Sequence, residues 1–276
     1  MVRRLLVLAP LLAALGVVDA RAASSAYRVG VVPQLDTAKT AAIWKPVLAE
    51  VTRRTGVQLV LDTSADIPAF EQELAAGKFD FAYMNPSHFL LAKRDNGYVP
   101  LVRDEGTKLQ GILVVRKDST VAKPEDLAGQ KIAFPAPNAL AASLLIRAAL
   151  VRDKATAFEA IYLGNHTEAY EAVVAERVAA AGGVQRTLDE QPAAVRDQLH
   201  VIFETVPVAS HPFATHPRVP AADREKVSQA LLGMASQPST QALLAAVPFK
   251  KIVPASVDDY RQLMRWGLQD FYIAPK

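Results

Sequence analysis

The sequence predicts an α/β fold of two modules, each a mostly parallel sheet flanked by helices, and three observations carry that prediction. Short β-branched runs alternate with segments of helical spacing from residue 27 to about residue 93. The same alternation starts again at residue 111, after a change of texture beyond Pro100. The chain has 276 residues, 51% hydrophobic and 21% charged, which exceeds one ordinary domain and is ample for packed cores rather than disorder. A β-α-β-α order favours parallel strands with helices on the sheet faces.

Taken in order, Tyr27 to Pro33 (YRVGVVP) is a β-branched run ended by a proline, the pattern of a buried strand. Residues 38–55 carry Ile43, Val47, Leu48 and Val51 at helical spacing, with Gly56 where a C-terminal cap belongs. Pro46 removes a backbone donor and is expected to kink that helix or to sit in its first turn. Residues 57–61 read as a second strand, 67–76 as a short helix ended by Gly77, and 79–84 as a third strand. Pro86 then takes the favoured first-turn position of a helix running to about Lys93. In the second module, strands are expected at 111–116 (GILVVR), 131–135 (KIAFP) and 158–163. They alternate with a brief helix in 124–129, an Ala- and Leu-rich helix at 138–152 and a helix at 167–178. The chain returns through a strand at 201–205 and a Pro-punctuated stretch at 206–220, and closes with helices at 222–236 and 257–271.

Met1 to Ala22 reads as a secretory signal peptide, with Arg3 and Arg4 as its positive end, Leu5 to Val18 as its apolar stretch and Ala20-Arg21-Ala22 as its cleavage signature. The apolar stretch is shorter than the ~20 residues of a membrane span. Loss of Arg3, Arg4, Arg21 and Asp19 takes the formal charge from +3 to +1, which leaves no electrostatic footprint for nucleic acid. A chain with no cysteine has no disulfide, thiolate metal site or cysteine nucleophile. Export followed by two α/β modules is the pattern of a two-lobed periplasmic binding protein, in which ligands sit outside the carboxyl ends of strands.

Four strand ends supply candidate site residues. The first is Tyr83-Met84-Asn85-Pro86-Ser87-His88, where Asn85 caps a helix whose first amides, at Ser87 and His88, are oriented for an anion. The alternative is a purely structural cap with Tyr83 in the core. Pro135-Ala136-Pro137-Asn138-Ala139 repeats the strand, proline, asparagine, helix order. Gly164-Asn165-His166-Thr167 enters the next helix, where His166 and Thr167 either donate to an oxygen ligand or serve structure. Gln34 follows the first strand.

These residues, with VGVVPQ at Val29, Trp44-Lys45-Pro46-Val47-Leu48, Gly77-Lys78-Phe79-Asp80-Phe81-Ala82-Tyr83, Asp126-Leu127-Ala128-Gly129 and Gly164-Asn165-His166, resemble the phosphate-, phosphite- and phosphonate-binding components of ABC transporters. The resemblance covers nearly all of the chain after the leader. It implies a type II binding-protein fold, with residues 26–110 plus 215–276 as one lobe and 111–214 as the other. It also implies a cleft that holds a tetrahedral oxyanion through hydroxyls, backbone amides and a histidine, and by motif Tyr83, Asn85, His166 and Thr167 match positions lining such clefts. The expected partners are a small anionic ligand and an ABC permease or, alternatively, a membrane sensor kinase. The expected protein is a periplasmic monomer that needs no cofactor.

Two departures from the family pattern bear on the ligand. The Ser/Thr-rich turn usual after the second-lobe strand is replaced by Pro137-Asn138-Ala139-Leu140-Ala141-Ala142, with Ser143 as the first hydroxyl. The acid of a common Val-Asp-Ala-Gly sequence is absent from Val178-Ala179-Ala180-Ala181-Gly182, so an alkylamine head lacks its counter-charge. Phosphonate, phosphate, phosphite, sulfonate and carboxylate ligands all stay open, with 2-aminoethylphosphonate disfavoured. An enzyme on the same fold is the remote alternative: H-E-x-x-H, G-x-S-x-G and G-x-G-x-x-G are all absent. The only close histidine pair, His211 and His216, is interrupted by Pro212, which argues against helical metal ligation.

Overall fold

Capped helices and buried strands assemble, in the computed structural model, into two sheets; the structure describes residues 26–274, so the expected leader at 1–22 lies outside the described residues. The first module begins with β1 (Tyr27–Val31) and α1 (Thr37–Thr55), which Asp36 caps by accepting from Lys39 N at 2.9 Å and Gly56 ends in the left-handed region at φ 72°. Pro46 lies inside α1 rather than in its first turn, at an exposed position. Next come β2 (Leu59–Asp62), α2 (Ile67–Ala75), β3 (Phe81–Tyr83) and α3 (Pro86–Asn96), the last capped by Asn85 through His88 N at 2.9 Å. A strand with no signal in the sequence reading follows, β4 (Val99–Asp104); its Pro100, Arg103 and Asp104 disguise an alternation that buries Pro100, Val102 and Asp104.

The second module contains β5 (Gly111–Arg116), a 3₁₀ turn at Pro124–Leu127 and β6 (Lys131–Phe134). The helical segment 140–153 consists of π-helical Leu140–Leu145, α4 (Ile146–Ala148) and π-helical Ala149–Asp153. Then come β7 (Glu159–Tyr162), α5 (His166–Val174), β8 (Ala180–Val184), α6 (Gln185–Asp189), α7 (Ala193–Arg196) and β9 (Leu199–Glu204). The return path holds β10 (Pro212–Thr215), α8 (Ala221–Ala235), α9 (Pro238–Ala246), β11 (Ile252–Pro254) and 3₁₀ turns at Val257–Arg265 and Leu268–Phe271.

The first sheet runs β11-β4-β10-β3-β1-β2 and the second β7-β6-β8-β5-β9. Both are mixed rather than mostly parallel. The β1–β2, β1–β3, β6–β7 and β6–β8 pairs are parallel, whereas β10 enters the first sheet antiparallel between β3 and β4, and β5 lies antiparallel to β8 and β9. Two segments link the lobes, between β4 and β5 and between β9 and β10, and they pair through Leu109 and Val208 with reciprocal N–H···O bonds of 2.9 Å. Because β10 belongs to the first sheet, the lobe boundary expected at 214/215 falls inside a first-lobe strand; the second sheet ends at Glu204. Phe213 repays this long return by stacking on Phe81 and Trp44 in the first core.

Two glycines set how closely the segment 140–153 approaches its sheet. A Cβ on Gly111 of β5 would collide with the carbonyl oxygen of Ala141, and one on Gly182 of β8 with that of Ala142. The helix start therefore lies on bare strand backbone. Gly182→Ala is expected to destabilise the fold by about 1–3 kcal/mol through overpacking, read as a lowered urea midpoint at unchanged slope. A midpoint equal to that of the native chain would contradict this close packing.

Candidate functional site

The ends of β1, β3, β6, β7 and β8 meet at the seam between the lobes. β10 runs antiparallel, so its beginning reaches the same edge as the carboxyl ends of β1 and β3. Around this meeting point lies a cavity of about 20 Å³, room for one water molecule. Gln34, Asn85 and His211 line it from the first lobe, and residues 139–142, His166 and Val184 from the second. Gln34 binds the two sides together, its carbonyl accepting from His166 N at 3.4 Å. The first amides of a helix have no intrahelical acceptor, so the start at 140–142 brings donors to the cavity wall, and the start of α3 lies behind Asn85.

A second cavity of about 30 Å³ shares Val32 and Gln34 with the first and is walled by Thr40, Trp44, Tyr83, Arg186, Thr187 and Glu190. Tyr83 stacks on His211 (centroids 5.1 Å, interplanar 17°) and packs on Trp44 at 4.9 Å. Burial drives the Tyr83 hydroxyl far above its ordinary pKa, so it stays an O–H donor. Arg186 pairs with Glu190 at 2.8 Å and donates to Ala246 O at 2.6 Å, another link from the second lobe to the first.

Behind Asn85 a polar network crosses the seam. Glu71 of α2, 7% exposed, approaches His88 Nε2 at 2.8 Å through one oxygen and accepts from Asn138 Nδ2 at 3.1 Å through the other. Asn85 Nδ2 donates to Asn138 O at 3.2 Å. The Asn138 amide also donates to Ile273 O (2.7 Å) and accepts from Ile273 N (3.0 Å), clasping the C-terminal segment. Arg147 extends the clasp by donating to Phe271 O at 2.7 Å, and Arg152 adds bonds to Trp266 O and Gly267 O.

The sequence-derived candidates thus separate. Gln34, Asn85, Ala139 and His166 line the first cavity and Tyr83 the second, while His88 and Asn138 stand one layer behind. Asn138 is not the helix cap its sequence context suggests: Ala139 holds the cap position without a side-chain bond, because Glu71 and Ile273 engage the asparagine amide. Ser87 turns to an outer groove beside Leu90 and Leu91. Thr167 accepts from Gln191 Nε2 at 3.3 Å and is not among the residues lining either cavity. The hydroxyl of Ser143 accepts from Arg147 Nε at 3.1 Å, so it does not replace the absent Ser/Thr turn. Ala180, in the acid's place when Val-Asp-Ala-Gly is set against Gly182, is fully buried in β8.

His211, Arg186 and Trp44 escaped the sequence reading as site residues. His211 is brought in only by the antiparallel insertion of β10, while its sequence neighbour His216 sits edge-on to Tyr98. No group of three or more His, Cys, Asp or Glu fit for a metal ion occurs among the described residues. Burial lowers His166 from its ordinary 6.5 to about 3; its Nδ1 lies 3.0 Å from Thr187 Oγ1, which lies 2.9 Å from Val184 O. His211 also falls to about 3, through burial first and then through His88, His166 and Arg186.

Both imidazoles are therefore neutral in the folded chain near pH 7, whereas in the unfolded chain they protonate below about 6.5. Their contribution to stability is complete above that pH and is lost as pH falls towards 3, by about 1.4 kcal/mol per pH unit for each ring. Urea midpoints measured from pH 7 to 4 are expected to fall less steeply for His211→Gln than for the native chain; parallel slopes would refute the assignment. In the cross-lobe network, Asn138→Ala is expected to weaken ligand affinity at least tenfold by loosening closure. His200→Ala, in half-buried β9, leaves affinity unchanged, and equal affinities for the two variants would remove Asn138 from the closure machinery.

The comparisons agree with this geometry. The family model of the ABC transporter phosphonate periplasmic substrate-binding protein matches residues 29–260. None of the curated proteins matches the chain. Among solved structures, a binding protein component of an ABC phosphonate transporter from Pseudomonas aeruginosa superposes with a TM-score of 0.81 at 17% identity, over 89% of this chain and 87% of that one. PhnD1 from Prochlorococcus marinus, in complex with methylphosphonate, gives 0.80 at 13% identity over 90% and 99%. A Xanthomonas citri protein bound to a chloride ion gives 0.73 at 17% identity over 90% and 99%. With two lobes, two linking segments and a cavity at the facing strand ends, matched over residues 29–260, the chain belongs to the family of periplasmic phosphonate substrate-binding proteins of ABC transporters.

Proposed function

We propose that this chain captures a phosphonate-like oxyanion between its lobes in the periplasm and delivers it to an ABC permease, as a binding protein that performs no chemistry on its ligand. One observation carries the reading: the helix start at 140–142, the Asn85 cap of α3, a neutral histidine pair and Tyr83 converge on the single seam where strand ends of both lobes meet. A tetrahedral oxyanion is larger than a cavity of about 20 Å³, so entry requires the lobes to part. The paired linkers at Leu109 and Val208 form the natural hinge, and closure then buries the ligand among amides and neutral donors. Among the described residues no helix is long and apolar enough to cross a membrane, which is compatible with a periplasmic binding protein.

The lining favours a small substituent on the ligand. Val32, Ile67, Leu140 and the alanines at 139, 141 and 142 are apolar, and the one carboxylate in the adjoining cavity, Glu190, is paired with Arg186. An ammonium group buried there has no free counter-charge, and that burial is costly. Isothermal titration is expected to show methylphosphonate binding at micromolar concentration or tighter and 2-aminoethylphosphonate at least tenfold weaker. Replacing His166 with Ala is expected to weaken methylphosphonate by about ten- to a hundredfold, the loss for one hydrogen bond to a charged ligand. Absence of any stabilisation or heat across phosphonates, phosphate, phosphite and sulfonates would refute the reading.

A further inference from the structure

We propose that anion capture in this cleft is proton-linked: the ligand is held with one net negative charge, and the second charge of a dianion is neutralised by a proton shared with His211. The inference rests on the function proposed above and adds to it the charge state of the ligand.

Charge balance in the cavity supports it. Neither a lysine nor an arginine lines the inner cavity, and Arg186 in the adjoining one is already held by Glu190 and Ala246 O. A helix start supplies about half a positive charge; that of segment 140–153 lies at the cavity wall and that of α3 lies behind Asn85, so together they balance at most about one negative charge. A second negative charge buried there would be uncompensated.

His211 is the group able to answer that deficit. It is 6% exposed, lines the cavity, and touches the Tyr83 ring, yet among the described residues its ring nitrogens make no hydrogen bond. His166 differs, because Thr187 occupies its Nδ1. The groups facing His211 are the Tyr83 hydroxyl from β3, Asn85 and His88 at the start of α3, Gln34 after β1, His166 at the start of α5 and Arg186 from α6. Asp104 of β4, the strand beside β10, adds a buried carboxylate whose influence reaches the Tyr83 hydroxyl and deepens the negative side of the balance, while Glu71 of the seam network is engaged by His88 and Asn138. With burial keeping His211 neutral in the empty site, a proton arriving with the anion has an unoccupied lone pair to occupy.

The test is titration calorimetry of the mature chain with methylphosphonate and methanesulfonate between pH 6.5 and 9, in two buffers of different ionisation enthalpy. Methylphosphonate is expected to bring close to one proton per ligand at pH 8.5 and to lose about tenfold in affinity per pH unit there. Methanesulfonate, a permanent monoanion, is expected to bind without proton uptake and without pH dependence. His211→Gln is expected to abolish the uptake. Should that variant not fold, histidine ring carbon shifts of the native chain report the same event, one ring moving towards the imidazolium position on addition of methylphosphonate. Binding of methylphosphonate at pH 8.5 without uptake, uptake unchanged in His211→Gln, or no change in any ring would overturn the proton linkage alone. Absence of binding by both anions would overturn the proposed function and the linkage with it.

Discussion

A carboxylate buried where two lobes meet is the constraint around which this structure is arranged. Glu71 is removed from water on α2, and a buried charge persists only with partners on its oxygens. One oxygen finds His88 in its own lobe; the other finds Asn138 in the opposite lobe. That second bond, with Asn85 donating to the Asn138 carbonyl, fixes the register of one strand edge against the other. Asn138 also clasps the C-terminal segment through Ile273, so the tail that leaves the first lobe is fastened to the second. The lobes are thus joined by two linkers paired at Leu109 and Val208 and by a polar clasp across the seam.

The cavity beside this clasp is small and its lining carries no lysine, arginine or carboxylate. Its polar equipment consists of backbone amides, amide side chains and neutral imidazoles, groups that bind an anion without first having to surrender a counter-ion. Gly111 and Gly182 matter for the same reason, because only bare strand backbone lets the start of segment 140–153 lie close enough to present its amides at the seam. Packing in the second sheet and donor placement in the cleft are therefore one structural fact.

Much of the fold was legible because its signals are local. Asn85 caps α3 and Gly56 ends α1 in the left-handed region, as the sequence places them. The strands that escaped the reading are those whose composition is set by neighbours rather than by strand propensity. The β8 sequence AAGGV has no branched side chain before Val184 because Phe134 and the Ala142 carbonyl crowd Gly182 and Tyr170 crowds Gly183. β4 hides behind a proline and two charged residues, one of which, Asp104, is buried to accept from Lys251 N and Gly106 N. The candidates that line the two cavities, Gln34, Asn85 and His166 just after strands and Tyr83 at the end of β3, lie where strand order alone points, at the edge of an α/β sheet.

Taken by itself, the sequence determined the class of fold, the repeated strand-to-helix edges and the family, since these follow from short-range periodicity, caps and ordered motifs. Tertiary structure alone decided that β10 inserts antiparallel and carries His211 to the cleft, that Asn138 serves the clasp rather than a cap, and that Thr167 and Ser87 turn away. Apart from Ser87, which lies beside Leu90 and Leu91 of its own helix, each of those outcomes depends on partners more than fifteen residues away. A side chain goes to whichever distant group best satisfies its hydrogen bonds or fills its space, and no local pattern records that choice.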